Sequence, residues 1–293
     1  MVDLVVVGLV AFDDVSTPAG SVEKAMGGAG CYSSVAASLF CKAGLVGVAG
    51  ADFPAEYTRV LENKGVDLTG LQRVEEKTFH WKGKYEGDMN TAQTIFTHLN
   101  SLTKFQAVIP EEYKKSGYLL LTNLDPEMQI ELMKQTNAVV AMDTMNYWID
   151  SKKEKLLEAI AASDILFIND AEALQLTGAQ GLKDAGAELL NMGPKQVIIK
   201  RGANGAMLFE GGDIFSCPAY PLEQVVDPTG CGDSFAGGVM GCLAAGKTMR
   251  EAIAYGSAVA SFNAEGFSLD RLKEVTLDNT RHRCEAIQEL PSF

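Results

Sequence analysis

Short, wholly apolar runs alternate with helix-length segments along nearly all of the 293-residue chain, and no other feature restricts the fold as much. Residues 4–10, LVVVGLV, are rich in valine and uncharged. Runs of the same kind stand at 45–48, 118–121, 138–142, 165–168 and 206–209, and 196–200, QVIIK, has an apolar centre between Gln196 and Lys200. A strand without a polar face has to be buried on both sides, as strands inside a parallel sheet are. Segments 29–40, 54–64, 126–135, 152–162, 171–176 and 182–191 read as helices, as do the stretch from 231 onward and 250–263. The predicted fold class is therefore α/β, a mainly parallel central sheet with helices on both faces. Ligands of such sheets sit beyond the C-terminal strand ends.

One region breaks the rhythm. Residues 77–87, KTFHWKGKYEG, mix aromatic and charged side chains and read as an exposed hairpin. With 16–26 they predict a small sheet outside the main layer. The expected organisation is one domain over 1–293, with lid segments at about 12–26 and 77–100. A hydrophobic content of 47% against 22% charged residues supports a real core. The net charge of −13 argues against nucleic acid or an anionic membrane as main partner. Six cysteines without a CxxC pair, and three histidines, argue for reduced thiols in a cytoplasmic protein over a disulfide or zinc framework. The N-terminal stretch MVDLVVVGLVAFDD has no Lys or Arg, unlike a signal peptide. No apolar run is long enough to span a bilayer.

Residues 227–235 read DPTGCGDSF and run directly into an apolar, helix-like segment. A glycine-rich turn entering a helix presents free N–H groups at the positive end of the helix dipole, which stabilises an anion such as phosphate. Asp233 would stand in the first turn beside that anion. A carboxylate there is repelled by phosphate, so its presence calls for a task. Accepting the proton of an attacking hydroxyl is one. Helix capping is the plainer alternative, but a cap requires neither Asp227 nor the doubled glycine.

This nonapeptide matches throughout the signature D-[TP]-T-G-[AC]-G-D-x-F of the ribokinase-like (PfkB) sugar and nucleoside kinases, which the chain resembles. The resemblance implies a ribokinase-like sheet with a β lid, and ATP and Mg²⁺ as cofactors. It implies Asp233 as catalytic base, with the amides of Gly230, Cys231 and Gly232 stabilising the transferring phosphoryl group. Asp227 and the Thr229 carbonyl resemble that family's monovalent-cation ligands, with K⁺ as the ion.

Further stretches extend the likeness. Asp13 follows the first strand at about the spacing of the family's substrate-hydroxyl acid. One carboxylate can accept from two adjacent hydroxyls; the alternative is a turn acid. GGAGCYSSVAASL resembles G-G-x-x-x-N, with Gly27 and Gly28 letting substrate approach the backbone. Tyr32 stands where the asparagine commonly does, and is read as a substrate contact. GVAGADF resembles G-x-V-G-x-D. Asn169 and Glu172 resemble the N-x-x-E pair that holds magnesium-bound water and phosphate, which suits a cation that keeps several waters; the alternative is a helix cap. VIIKRGANGAMLF resembles the strand–loop–strand whose glycines, Gly202 and Gly205, border the nucleotide, with Lys200 or Arg201 against phosphate or simply solvated. Asp143, in a family-like D-x-x-N segment, and Asn123, just past a buried strand, are further substrate contacts or turn residues. Phe79, Trp81 and Tyr85 resemble a lid that excludes water. Exposed aromatics also mark interfaces, which points to a homodimer through the lid.

The leading expectation is an ATP-dependent kinase of a small polyhydroxylated molecule. Two other classes compete. A dinucleotide-dependent oxidoreductase would need G-x-G-x-x-G directly behind the first strand, and GGAG lies well downstream. A non-catalytic nucleotide binder would gain little from Asp233. Between acceptors, a sugar stands first. A nucleoside is the alternative, because Phe12, Tyr32 and the lid aromatics could stack on a base.

Overall fold

The computed structural model describes residues 1–87 and 89–290. The chain runs β1 (Leu4–Val7), β2 (Ala11–Thr17), β3 (Gly20–Gly27), α1 (Ala29–Ala37), β4 (Ala43–Gly50), α2 (Ala55–Asn63), β5 (Asp67–Val74), β6 (Phe79–Tyr85), β7 (Ala92–His98), β8 (Tyr118–Leu121), α3 (Pro126–Met133) and β9 (Val139–Met142). It continues through α4 (Asn146–Ser151), α5 (Lys153–Ala162), β10 (Ile165–Asn169), α6 (Asp170–Thr177), α7 (Leu182–Asn191), β11 (Gln196–Lys200), β12 (Ala206–Glu210), β13 (Asp213–Cys217), α8 (Cys231–Ala244), α9 (Met249–Asn263) and α10 (Leu277–Gln288).

The main sheet has the order β13-β12-β11-β10-β9-β8-β1-β4-β5. Pairing is parallel from β5 to β11 and antiparallel at β12 and β13. Successive side chains of a strand point to opposite faces, and the apolar runs divide accordingly. Val5, Val7, Leu119, Leu121, Leu166, Ile168, Val197 and Ile199 pack with residues of α3, α5, α6 and α7. Leu4, Val6, Leu120, Phe167 and Ile198 pack with residues of α8, α9 and α10. Both faces are covered, which is why these strands lack polar positions.

Strand order reverses around β1, which pairs with β4 on one side and β8 on the other. A crevice forms at such a switch point. Asp13 follows β1 and Asn123 follows β8, so both lie at it.

The apolar run at 4–10 is not one strand. β1 ends at Val7, and β2 begins at Ala11 in a separate sheet of order β3-β2-β6-β7. In that sheet Asp13 pairs with Trp81, and Phe12 pairs with His80. The opposite alternation of the two pairs puts Asp13 on one face and Phe12 on the other. The sheet covers 11–27 and 79–98, close to the expected lid segments. Edge strands β5 and β13 and helix α10 carry no apolar run. β5 buries only Gly70, β13 only Cys217, and α10 only Thr280, Cys284 and Ile287.

Candidate active site

The turn before α8 is built around Gly230, which has φ 74. A β-carbon there would also stand 2.5 Å from the Tyr32 ring, so conformation and space both require glycine. Asp233 follows in the first turn of α8, and its own carbonyl accepts from Ser33 Oγ at 3.0 Å. That bond ties α8 to α1. Burial pushes the Asp233 carboxyl up to about 6; the Asp143 charge adds to the rise and Lys200 opposes it.

Asp13 is buried, and its Oδ2 accepts from the Gly28 amide at 3.4 Å. A β-carbon on Gly27 would fall 1.9 Å from that oxygen. The di-glycine thus makes room for a carboxylate as well as for a ligand. Burial pushes Asp13 up to about 7, and repulsion from Asp227, Asp233 and Asp14 contributes. Asp13 and Asp233, 220 residues apart in sequence, therefore share one desolvated environment.

Lys200, at the end of β11, is paired with the buried Asp143 carboxylate. Its Nζ would be 3.3 Å from a β-carbon on Gly232, so a positive charge lies against the glycine turn. Burial disfavours that charge, but Asp143, Glu172 and Asp233 together hold its pKa above the usual lysine value. Asp143 also accepts from the Thr144 amide at 2.9 Å.

Asn169 caps α6 and accepts from the Glu172 amide at 2.7 Å, while Glu172 Oε2 accepts from the Asn169 amide at 3.1 Å. The capping alternative is realised here in full. Burial raises the Glu172 carboxyl to about 7, with Lys200 opposing and Asp143 assisting. Gly202 and Gly205 have φ values of 52 and 79 in the turn between β11 and β12. A β-carbon on Gly202 would meet Asn90 Oδ1 at 2.9 Å, so the lid reaches over this turn.

Three placements depart from the sequence reading. Tyr32 is 1% exposed. Its ring supports Gly230 from below instead of lining the crevice, and it can reach an acceptor only through that turn. Asn123 is engaged at both ends of its amide: Oδ1 accepts from Trp148 Nε1 at 2.8 Å, and Nδ2 contacts Met145 Sδ at 2.9 Å. Asp227 is fully buried and accepts from the Thr229 amide at 2.9 Å and the Ser268 amide at 3.2 Å.

Sequence reasoning missed other contributors. Tyr85, expected in the lid, also bridges lid and turn through an unforeseen contact, its hydroxyl 3.3 Å from Thr229 Oγ1. Gln129 Nε2 donates to the carbonyls of Thr122 at 2.9 Å and Asp143 at 3.0 Å, joining the ends of β8 and β9. Asn263 Nδ2 donates to the Thr229 carbonyl at 2.7 Å. Their partners lie 7 to 144 residues away, and no local pattern signals them.

A glycine-lined helix N-terminus, a carboxylate poised beside it, a second buried carboxylate and a buried lysine make up a phosphoryl-transfer site on an α/β sheet. Residues 1–272 match the pfkB family carbohydrate kinase model, and the chain belongs to this family of small-molecule kinases. Its relatives include a cytidine kinase of Thermococcus kodakarensis, 33% identical over 264 residues, covering 87% of this chain and 94% of that protein. A nucleoside kinase of Methanothermobacter thermautotrophicus is 27% identical over 280 residues, covering 90% and 89%. Two solved structures share the ribokinase-like fold. The nucleoside kinase of Methanocaldococcus jannaschii has TM-score 0.81 at 23% identity, covering 97% of this chain and 98% of that one. A putative ribokinase II of E. coli, solved with ATP and Mg²⁺, has TM-score 0.83 at 19% identity, covering 98% and 100%.

Proposed function

We propose that this chain transfers the γ-phosphoryl group of ATP to a hydroxyl of a nucleoside. The observation that carries the reaction type is the pair Asp13 and Asp233, two carboxyls raised by burial on either side of the glycine turn. Asp13 holds the acceptor by its hydroxyls beside Gly27 and Gly28. Asp233 takes the proton of the reacting hydroxyl. A base with a pKa near 6 is largely ionised at neutral pH and still basic enough to act. The hydroxyl oxygen then bonds to the γ-phosphorus, the bond to the bridging oxygen breaks, and ADP leaves. The amides of Gly230 and Gly232 face the charge on the transferring group, and Lys200 adds a cation beside them; the Cys231 amide donates to the Pro228 carbonyl at 3.1 Å.

The donor set at α6 fits Mg²⁺: one buried carboxylate, Glu172, with Asn169 beside it, suits an ion that keeps most of its waters. Mg²⁺ held there would neutralise phosphate charge. Gly202 and Gly205 border the nucleotide, Asp143 holds Lys200 beside the glycine turn, and Asn123, engaged by Trp148 and Met145, backs the end of β8. Residues 1–293 act as one cytoplasmic kinase domain, with the sheet over 11–27 and 79–98 as its lid. The free thiols agree with a reducing compartment. On lid strand β7 the apolar side chain of Ile95 is 55% exposed, which supports dimerisation there.

The nucleoside is preferred to the sugar because the two relatives described above are a cytidine and a nucleoside kinase. A sugar acceptor remains the second reading, favoured by the family's carbohydrate kinase description. ADP release measured against panels of nucleosides and sugars tests both. Turnover of sugars alone would reverse the order, and no turnover on either panel would defeat both. Asp233→Asn should lower kcat by about 10²–10⁴ while ATP still binds. Turnover within a few-fold of wild type would remove Asp233 from the role of base.

A further inference from the structure

The family resemblance makes Asp227 and the Thr229 carbonyl ligands of a monovalent cation. Their surroundings already supply these oxygens with hydrogen-bond donors. Asp227 Oδ1 accepts the Thr229 amide at 2.9 Å, and Oδ2 accepts the Ser268 amide at 3.2 Å. The Thr229 carbonyl accepts Asn263 Nδ2 at 2.7 Å. The Ala264 carbonyl, next along the chain from Asn263, accepts the Val226 amide at 2.8 Å and the Asp227 amide at 3.3 Å. Each of these oxygens faces the positive end of an N–H dipole. The Asp227 oxygens and the Thr229 carbonyl each keep a further lone pair, and Asn263 Oδ1 is a buried acceptor without a hydrogen-bond partner among the described residues, but the donors already hold the turn in place.

Resting on the kinase reading above, we propose that Asn263 and Ser268 do by hydrogen bonding what a bound K⁺ would do, and that phosphoryl transfer here needs no monovalent cation. Asn263 is a positioning residue in this scheme. It is fully buried, and through the Thr229 carbonyl it holds the residue directly before Gly230. Ser268 provides the second anchor. It has φ 56, a left-handed conformation rare for a non-glycine residue. Two bonds keep it there: its amide on Asp227 and its hydroxyl on the Met26 carbonyl. Such strain persists only where the surroundings over-determine it. The same residue therefore fixes the Asp227 carboxylate and the end of β3 that leads into Gly27 and Gly28.

The test compares wild type, Asn263→Ala and Asn263→Asp in tetramethylammonium buffer, with and without added K⁺ at constant ionic strength. ADP formation and thermal denaturation are both followed. Wild-type kcat/KM should change by less than about twofold on adding K⁺, and its Tm should not move. Asn263→Ala should lose roughly tenfold in kcat in the absence of K⁺. In Asn263→Asp an acceptor faces the Thr229 carbonyl, so K⁺ should restore activity and raise Tm. Saturable activation of wild type by about tenfold or more, or a K⁺-dependent rise in its Tm, overturns the proposal. An Asn263→Ala enzyme with full activity in K⁺-free buffer overturns the positioning role. The wild-type cation titration decides the main point even where neither variant folds. If wild type shows no turnover on any acceptor, the kinase reading fails separately, and the Tm comparison still reports on the cation.

Discussion

Replacing Asp13 by Asn should stabilise the unliganded protein while damaging its activity. Asp13 is a buried carboxyl raised from 3.8 to about 7, first by burial and then by the charges of neighbouring acids. An acid raised in the folded state contributes full stability below its unfolded value and loses it as pH rises through the folded one. Above neutral pH that loss amounts to about 4 kcal/mol. Asn has the same shape, carries no charge and can still accept the Gly28 amide. The realised gain should be about 2–4 kcal/mol, which in a chain of this size is roughly 4–8 °C in Tm. Thermal denaturation without ligand at about pH 8 and about pH 5 reads the effect, with the larger gain at the higher pH. Acceptor turnover should fall roughly tenfold to a hundredfold in kcat/KM, because a charged acceptor of hydroxyl protons is lost. A variant less stable than wild type at the higher pH, or one with an unchanged slope of stability against pH, would refute the electrostatic account of Asp13.

Other expectations follow from the same geometry. Gly230→Ala combines a positive φ with a 2.5 Å approach to the Tyr32 ring, so Tm should fall together with ADP formation; an active, stable variant would contradict the fit. Tyr85→Phe removes a 3.3 Å contact between lid and Thr229. It should cost about 0.5–1.5 kcal/mol, read as a raised KM and faster futile ATP hydrolysis, and unchanged kinetics would remove the latch. The thiols of Cys41 and Cys231 are pushed by burial up to about 12, and those of Cys217 and Cys284 to about 11. Alkylating reagents at neutral pH should leave activity intact, since the thiolate is the reactive form, and rapid inactivation would show a thiol more open than described.

Much of the fold was legible because β1, β8, β9, β10 and β11 are buried on both faces and so carry unbroken apolar runs. β5, β13 and α10 were not, because an edge or half-exposed element shares its composition with loops. The run at 4–10 misled for a related reason: residues 9 and 10 remain apolar while the chain leaves one sheet for another. At the site, the glycine turn and its acid were readable as contiguous chemistry. Asn263, Gln129 and the contact of Tyr85 with Thr229 were not, since each acts on a distant carbonyl or hydroxyl that only the fold brings near. Tyr32 shows the opposite error. Its position in the chain was read correctly, but nothing local indicates whether a side chain faces a ligand or the underside of a turn.

The seat of Tyr32 under Gly230 has a consequence for how this sequence can drift. The phenol fills the space that a β-carbon on the turn would need, and the turn in its place covers the ring. Positions 32 and 230 are thus coupled. An asparagine at 32 alone would leave a void beneath the glycine turn, and its cost would be lower in a background that also refills the gap. Substitutions at 32 should therefore show strong epistasis with changes around the turn, although positions 32 and 230 lie almost two hundred residues apart.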